Sequence, residues 1–294
     1  MKQITLARSV KGIGIGLHKG EPISITLEPL EANSGIVFYR SDVGMLVKAE
    51  PASVVNTQMA TVIGNGTHFI STIEHLLSSV YSYGIDNIRI VLDGAEVPIM
   101  DGSGASFCMM LDEAGKRKLS ATKKLLIIKK EVEVIDGKKF ARVTPSLKPT
   151  YHFQIEFAHP AIGKQEYSFE FSKKNFIEEI ARARTFGFLK DVQMLRSRGL
   201  ALGGSLDNAV VLDETKILNP EGLRFSTEFV RHKILDAIGD LARLGAAFVG
   251  DYTSYAGSHN LNHELTKAIF SDPSNYEIKT LSHENAHEFE KVFA

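Results

Sequence analysis

Cysteine is almost absent from this sequence, since Cys108 is the only one in 294 residues. A single cysteine cannot form an internal disulfide, which favours a reducing compartment, and we expect a cytoplasmic protein. It also excludes a cysteine-rich zinc module. Any metal site must therefore be built from His, Asp and Glu side chains.

Long apolar runs and a large net charge are absent too. No run approaches the ~20 apolar residues of a membrane-spanning helix, and residues 1–10 lack the apolar core of a signal peptide. The formal charge of −1 gives no general attraction to nucleic acid or to an anionic membrane. We expect no transmembrane segment and no nucleic-acid partner, and local cations would have to hold any anionic ligand.

The composition is that of a soluble globular protein, with 44% hydrophobic and 23% charged residues. Alternation over residues 23–27 predicts a half-buried strand, and residues 87–92 predict another. Residues 71–80 are predicted to form a helix that ends at Gly84. The first third of the chain therefore combines strands with a helix.

A polar, charged segment at residues 112–124 separates this part from the rest and suggests a domain boundary. We predict an N-terminal domain of residues 1–121 and a C-terminal domain of residues 122–294. A length of 294 residues suits two domains of ordinary size.

The second part of the chain, like the first, combines predicted strands with predicted helices. Residues 125–128 and 132–135 are predicted strands near Asp136-Gly137, a hairpin signal, and residues 151–157 alternate as another strand. Residues 172–183 have helical spacing. Strands followed by helices in each half favour two α+β layers over a doubly wound sheet.

Residues 228–248 predict one long amphipathic helix. Its apolar stripe contains Ile234, Leu235, Ile238, Leu241 and Ala242. His232, Asp236 and Asp240 follow at intervals of four on the opposite face, and a His and an Asp one turn apart can bind one cation. An isolated pair of this kind is more often part of a solvated polar face, so both interpretations stay open at this point.

The segment Ser71-Thr72-Ile73-Glu74-His75 offers a second candidate. Glu74, beside a potential metal ligand, could activate a water molecule. Ser71 and Glu74 also have capping-box spacing, so Glu74 could instead close the start of the helix. His75 could likewise be a hydrogen-bonded, partly buried histidine.

His259 follows Gly257-Ser258 in a predicted turn after the long helix. A loop histidine with a pKa near ~6.5 suits a general acid. The alternative is an ordinary surface histidine.

Two further patterns are interpreted as chance matches. His283-Glu284-Asn285-Ala286-His287 fits H-E-x-x-H, but only seven residues follow it and none is a histidine that could be a third ligand. Gly12-Ile13-Gly14-Ile15-Gly16 lacks the helix that a dinucleotide-binding loop requires, so we interpret its glycines as sites of tight turns or close backbone approach.

Several segments together carry a family resemblance. They are Ser71-Thr72-Ile73-Glu74-His75-Leu76-Leu77, Gly84-Ile85-Asp86-Asn87, Pro98-Ile99-Met100-Asp101-Gly102-Ser103, Arg184-Thr185-Phe186-Gly187 and Arg231-His232-Lys233-Ile234-Leu235-Asp236-Ala237-Ile238-Gly239-Asp240-Leu241. In sequence, order and spacing they resemble the UDP-3-O-acyl-N-acetylglucosamine deacetylase family, over residues from about 5 to 265.

The resemblance implies an α+β fold of two related β-α-α-β layered domains, each with an insert and with the active site between them. It implies that the insert of the second domain, at about residues 186–212, forms a passage for an acyl chain. The apolar residues available to line it are Phe186, Phe188, Leu189, Met194, Leu195, Leu200, Leu202 and Val210. Their composition would equally suit an ordinary core.

The resemblance also implies roles for individual residues. It implies zinc ligands at His75, His232 and Asp236, a general base at Glu74, and a general acid at His259 tuned by Asp240, with Thr185 near the reacting centre. The implied substrate contacts are Lys233, Phe186, Leu200, Gly204, His18 and, for the uracil, Phe157.

The implied activity is zinc-dependent hydrolysis of the N-acetyl group of UDP-3-O-acyl-N-acetylglucosamine, which releases acetate in the committed step of lipid A synthesis in Gram-negative bacteria. We expect a monomer. Two alternatives remain: a zinc protease that uses His283 and His287, and a non-catalytic binder of nucleotide sugar or lipid. Glu74 and His259 together count against a binder, which needs neither.

Overall fold

The computed structural model describes residues 1–281 together with Phe289, Val292 and Phe293. Its first part contains the strands β1 (Lys2–Leu6), β2 (Val10–Ile15), β3 (Pro22–Pro29), β4 (Ile36–Arg40), β5 (Met45–Lys48), β6 (Val54–Asn56), β7 (Val62–Gly64), β8 (Phe69–Ile70), β9 (Ile88–Leu92) and β10 (Lys116–Thr122). Two helices, α1 (Glu74–Ser82) and α2 (Ala105–Ala114), accompany these strands.

The second part contains β11 (Lys124–Ile128), β12 (Val132–Asp136), β13 (Lys139–Thr144), β14 (Thr150–Phe157), β15 (Gly163–Glu170), β16 (Phe186–Phe188), β17 (Val210–Leu212), β18 (Ala247–Val249), β19 (Asp251–Tyr255) and β20 (Tyr276–Thr280). Its helices are α3 (Lys173–Asn175), which continues as a π-helical turn at Phe176–Ile180, α4 (Leu189–Ser197), α5 (Glu228–Leu241) and α6 (His259–Ser271).

Two five-stranded sheets share one topology. Their strand orders are β2-β3-β9-β4-β5 and β12-β13-β19-β14-β15. In each sheet the last strand in sequence lies in the middle, between two hairpins, and runs parallel to one neighbour. The hairpin predicted at Asp136-Gly137 is the one that joins β12 to β13.

The predicted α+β class is confirmed, and the repeated strand order fits two related halves. The boundary placed after residue 121 stays a prediction. It falls within β10, which pairs antiparallel with β1, and the next strand begins at Lys124.

Helix α1 begins three residues later than the sequence predicted. Thr72 has a left-handed φ of 58°, and the backbone of Ser71 is bonded to the extended segment at Ala95 and Val97. A β-branched residue in that region is strained, so the turn must be fixed by its surroundings. The predicted end is confirmed, because Gly84 follows the helix with a φ of 68°.

The prediction of one helix over residues 228–248 is wrong in its second part. Helix α5 ends at Leu241, a short 3₁₀ turn follows, and Gly245 adopts a left-handed φ of 75°. Phe248 lies in β18, parallel to β11. A short apolar run such as residues 246–249 fits a buried strand as well as a helix, so periodicity could not separate the two.

Helices α1 and α5 pack directly against each other at Gly239. A Cβ atom at this position would lie 2.1 Å from the carbonyl oxygen of Glu74. Only glycine permits this approach. The first turn of α1 and the middle of α5, which carry the candidate site residues, are therefore held together by backbone contact.

The glycines of the 12–16 segment also mark close approach, as interpreted from the sequence. A Cβ at Gly14 would lie 2.8 Å from the Cβ of Pro98, and one at Gly16 would lie 2.8 Å from the carboxylate of Glu96. The segment forms β2 and the start of a turn rather than a nucleotide loop. Across the described part of the chain, no helix is both long and apolar enough to cross a membrane.

Candidate active site

His75, His232 and Asp236 come together where α1 meets α5. One ligand atom from each lies within 4.8 Å of the others, and all three side chains are buried. The Nε2 atoms of His75 and His232 lie 3.6 and 3.3 Å from Oδ1 of Asp236. Within the described part of the chain, no other group of three or more His, Cys, Asp or Glu residues has ligand atoms this close together.

The local hydrogen bonds leave these atoms free to bind a metal. Nδ1 of His232 lies 3.0 Å from the carbonyl oxygen of Ala183. The imidazole therefore donates from Nδ1 and keeps a lone pair on Nε2, the usual arrangement of a metal-binding histidine. Oδ1 of Asp236 is buried and accepts no hydrogen bond within the described residues, which is costly unless a ligand satisfies it.

The protonation states fit the same interpretation. Burial lowers the pKa of His232 to about 3, so the ring is neutral. Burial would raise the pKa of Asp236, but the nearby ammonium of Lys233 helps hold that pKa well below its usual range. Nζ of Lys233 donates to Oδ2 of Asp236 at 2.9 Å. Two imidazoles and one carboxylate are a donor set that zinc prefers.

Glu74 is buried beside this cluster and does not cap α1. The start of the helix has no side-chain capping bond, and Oε2 of Glu74 instead accepts the backbone N–H of Thr61 at 3.2 Å. The capping-box alternative is therefore wrong. Burial raises the pKa of Glu74, while the charges of His259 and His75 oppose that rise, and a raised pKa suits a base that works near neutral pH.

His259 faces Glu74 from the other side of the site. Its Nε2 lies 3.7 Å from Oε1 of Glu74, and its Nδ1 lies 2.8 Å from Oδ2 of Asp240. It is the first residue of α6, after the N-cap Ser258, so the predicted turn ends before His259, and β18 and β19 separate that turn from α5. Burial opposes protonation, yet Asp240 and Glu74 raise the pKa of His259 to about 9.

Two residues that sequence reasoning missed hold Asp240. Thr61 donates from Oγ1 to Oδ1 of Asp240 at 2.5 Å, and Asn262 donates to Oδ2 at 2.8 Å. Thr61 also contacts Glu74 through its backbone, so it bridges both acidic groups. Asn262 follows His259 by three residues, a helical spacing that could have drawn attention to it. No pattern around Thr61 singles it out.

An apolar cavity of about 380 Å³ adjoins the cluster. The predicted site residues His18, Thr185, Phe186 and Gly204 line it. The Phe186 ring centroid lies 6.5 Å from that of His232, so a residue of the cavity wall lies beside the His-His-Asp cluster. Apolar side chains complete the wall, notably Leu17, Met59, Val192, Leu195, Leu206 and Leu218.

Some of the apolar residues of the 186–212 segment that were available to line a passage do line this cavity. Phe186, Leu189 and Leu195 line it, whereas Val210 is buried in the core and Met194 and Leu202 are exposed. Leu200 is half-buried and outside the lining. Its contact with substrate stays a prediction.

Phe157 lines a second cavity of about 420 Å³ together with His159, Phe188 and Lys190. Its ring packs against Phe186 and Phe188 at centroid distances of 5.8 and 6.0 Å. Strand β16 contributes to both cavities, since Phe186 lines the apolar cavity and Phe188 lines the second one. The His283–His287 pattern lies outside the described residues.

Comparisons with known proteins agree with this geometry. A family model described as UDP-3-O-acyl N-acetylglycosamine deacetylase matches residues 3–271. Proteins named UDP-3-O-acyl-N-acetylglucosamine deacetylase from Campylobacter fetus, Campylobacter jejuni and Campylobacter hominis are 68%, 66% and 64% identical. Each of these alignments covers 100% of both chains.

Proposed function

This chain belongs to the UDP-3-O-acyl-N-acetylglucosamine deacetylase family, and we propose that it hydrolyses the N-acetyl group of UDP-3-O-acyl-N-acetylglucosamine with the help of zinc. Acetate and the free amine are the products, and the reaction is the committed step of lipid A synthesis. The observation that carries the proposal is the buried His-His-Asp cluster flanked by Glu74 and His259.

His75, His232 and Asp236 would hold the zinc ion. Three protein ligands leave one coordination position for water or substrate, as in catalytic rather than structural sites. Bound there, zinc supplies a Lewis acid that acidifies water and polarises an amide carbonyl. The unsatisfied Oδ1 of Asp236 and the fixed tautomer of His232 support this assignment.

Glu74 acts as the general base. Its carboxylate accepts the proton of the attacking water, and its burial and raised pKa favour accepting that proton near neutral pH. The hydrogen bond from Thr61 holds one oxygen in place and leaves the other facing the site.

His259 acts as the general acid. The amine must be protonated before it leaves, and a pKa of about 9 keeps the imidazole of His259 protonated at neutral pH. Asp240 holds the ring through Nδ1 and so directs Nε2 toward the site. Thr185, which lines the apolar cavity, and Lys233, whose Nζ lies 6.0 Å from the Phe186 ring centroid, stabilise the negative charge that develops on the amide oxygen.

The two cavities match the two ends of the substrate. The apolar cavity takes the acyl chain, and the cavity beside Phe157 takes the uracil. A glucosamine between them would place its acetamide at the metal cluster.

Mass spectrometry of the UDP-sugar after incubation with the protein tests the function. We expect the substrate to lose one acetyl group and to retain its O-acyl chain. An unchanged mass would favour a binder, and loss of the O-acyl chain would indicate an esterase. The predictions of a monomer and of a cytoplasmic location stay predictions.

Asp240→Asn should move the basic limb of the kcat/KM profile to lower pH. Asp240 raises the pKa of His259. Removing the charge of Asp240 therefore lowers the pKa of His259, which then loses its proton at a lower pH. We expect a shift of about one pH unit or more. Asp136→Asn, the same change at the exposed end of β12, should leave the profile unchanged. An unmoved limb in Asp240→Asn would contradict the role of His259.

Gly204→Trp should weaken binding of the acylated substrate. A Cβ at Gly204 would lie 3.4 Å from the carbonyl oxygen of Ala201 and 3.6 Å from Cδ1 of Leu17, both ordinary contacts, so the backbone accepts a Cβ there. The indole would take up cavity space, and each methylene it displaces costs about 0.8 kcal/mol. We expect KM to rise at least about tenfold.

Leu202→Trp is the matched control, because Leu202 lies on the same loop but is exposed. It should leave KM nearly unchanged. Equal KM values for Gly204→Trp and the wild type would show that the acyl chain binds elsewhere.

A further inference from the structure

Glu96 is a buried carboxylate outside the catalytic group, with 3% of its surface exposed. Its Oε1 accepts the backbone N–H groups of His18 and Lys19, both at 3.1 Å, and its Oε2 lies 3.0 Å from the same N–H of His18. Hydrogen bonds to a charged acceptor are about twice as strong as neutral ones. Glu96 therefore holds the turn at residues 16–20 firmly against the first sheet.

Backbone hydrogen bonds connect the turn at residues 16–20 to the loop at residues 201–204. The carbonyl oxygens of Leu17 and His18 accept the N–H groups of Gly203 and Leu202 at 3.0 and 3.1 Å. A Cβ at Gly203 would lie 2.2 Å from the carbonyl oxygen of Gly16. The contact is thus made by backbone alone and depends on where the turn lies.

Both segments form the wall of the apolar cavity. The turn contributes Leu17 and His18, and the loop contributes Ala201 and Gly204. A shift of the turn would move all of these lining residues together.

The other side of Glu96 is fixed to the catalytic helix. Ser71, three residues before Glu74, donates to the carbonyl oxygen of Ala95 at 2.9 Å, and Val97 donates back to Ser71 at 3.0 Å. The backbone at Glu96 is therefore in register with the start of α1, while its side chain reaches the cavity wall.

We propose that Glu96 is a positioning residue that sets the apolar cavity wall relative to the catalytic helix and thereby determines how tightly the acyl chain binds. The role in substrate selection rests on the function proposed above. The effect on the cavity itself can be measured without turnover.

The test is a titration of fluorescently labelled dodecanoic acid into the zinc-loaded full chain. Glu96→Gln keeps the shape but loses the charge and places an amide N–H₂ against a backbone donor. We expect its affinity for the fatty acid to fall roughly tenfold. Glu21→Gln makes the same change at an exposed position beside the turn and should bind like the wild type.

Kinetics with the acylated UDP-sugar separate positioning from general damage. Glu96→Gln should raise KM by a similar factor, with kcat within about threefold of the wild type and full zinc content. If Glu96→Ala fails to fold, Glu96→Gln still decides the question.

Unchanged fatty-acid affinity in Glu96→Gln, absence of binding by the wild type, or a fall in kcat at constant KM would each overturn the proposal. Loss of fatty-acid binding in Glu96→Gln, together with no acetate release by the wild type, would remove the deacetylase function and leave the role of Glu96 in shaping the cavity intact.

Discussion

Glu74→Gln should lose about 10²–10⁴-fold in kcat while it keeps zinc and its melting temperature. Glutamine has the same shape and can still accept the N–H of Thr61, but it cannot take a proton from water. Steady-state kinetics, metal analysis and thermal unfolding on one preparation measure all three quantities.

The control for this change is Glu113→Gln, at an exposed position on α2, which should behave like the wild type. Near wild-type turnover in Glu74→Gln would refute the mechanism even if zinc were present. A rate loss accompanied by lost zinc would instead show that Glu74 acts through the metal ligands next to it.

Removing a metal ligand should have the second large effect. Each single change to alanine leaves only two of the three ligands, and the variants are His75→Ala, His232→Ala and Asp236→Ala. We expect the zinc content to fall well below about one ion per chain and kcat/KM to fall by roughly 10³-fold or more. Metal analysis after dialysis, set beside the rate, measures both.

His152→Ala provides the comparison, because His152 is a partly exposed histidine on β14, away from the cluster, that also pairs with an aspartate. Zinc and rate should both be retained. Full zinc content in His232→Ala would show that the ligand set is wrong.

His232 and Asp236 are one helical turn apart, and Glu74 and His75 are adjacent, but this local spacing left both a metal site and an ordinary polar helix face open. The family resemblance, rather than the spacing, assigned these residues to a metal site, and in the structure the ligand atoms of His75, His232 and Asp236 lie within 4.8 Å of one another. Local spacing could not predict that α1 and α5 bring these two pairs of residues together. This arrangement depends on the backbone contact at Gly239, for which a glycine inside a helix is the only local sign.

The errors have a common physical origin. The sequence pattern predicts Phe248 in the helix because a short buried strand and a buried helical turn share an apolar pattern. The sequence predicts a turn at Gly257-Ser258-His259, but Ser258 is the N-cap of α6 and His259 begins that helix. Thr61 was missed because its role depends on contacts with Glu74 and Asp240, which lie 13 and 179 residues away.

The lining of the apolar cavity shows the same limit. Residues 186–212 predicted an apolar wall, but the cavity also uses Leu17, His18 and Met59 from the first part of the chain. Composition could indicate that the segment was apolar. It could not distinguish Leu195, which lines the cavity, from Met194, which is exposed.

Release of acetate from a substrate with a carbon-13-labelled N-acetyl group tests the central claim most directly. Nuclear magnetic resonance would follow the labelled acetate with the zinc-loaded protein, with the protein after chelation, and after zinc is restored. We predict release by the loaded protein, almost none after chelation, and recovery with zinc. Undiminished release by the zinc-free protein would contradict catalysis at the site formed by His75, His232 and Asp236.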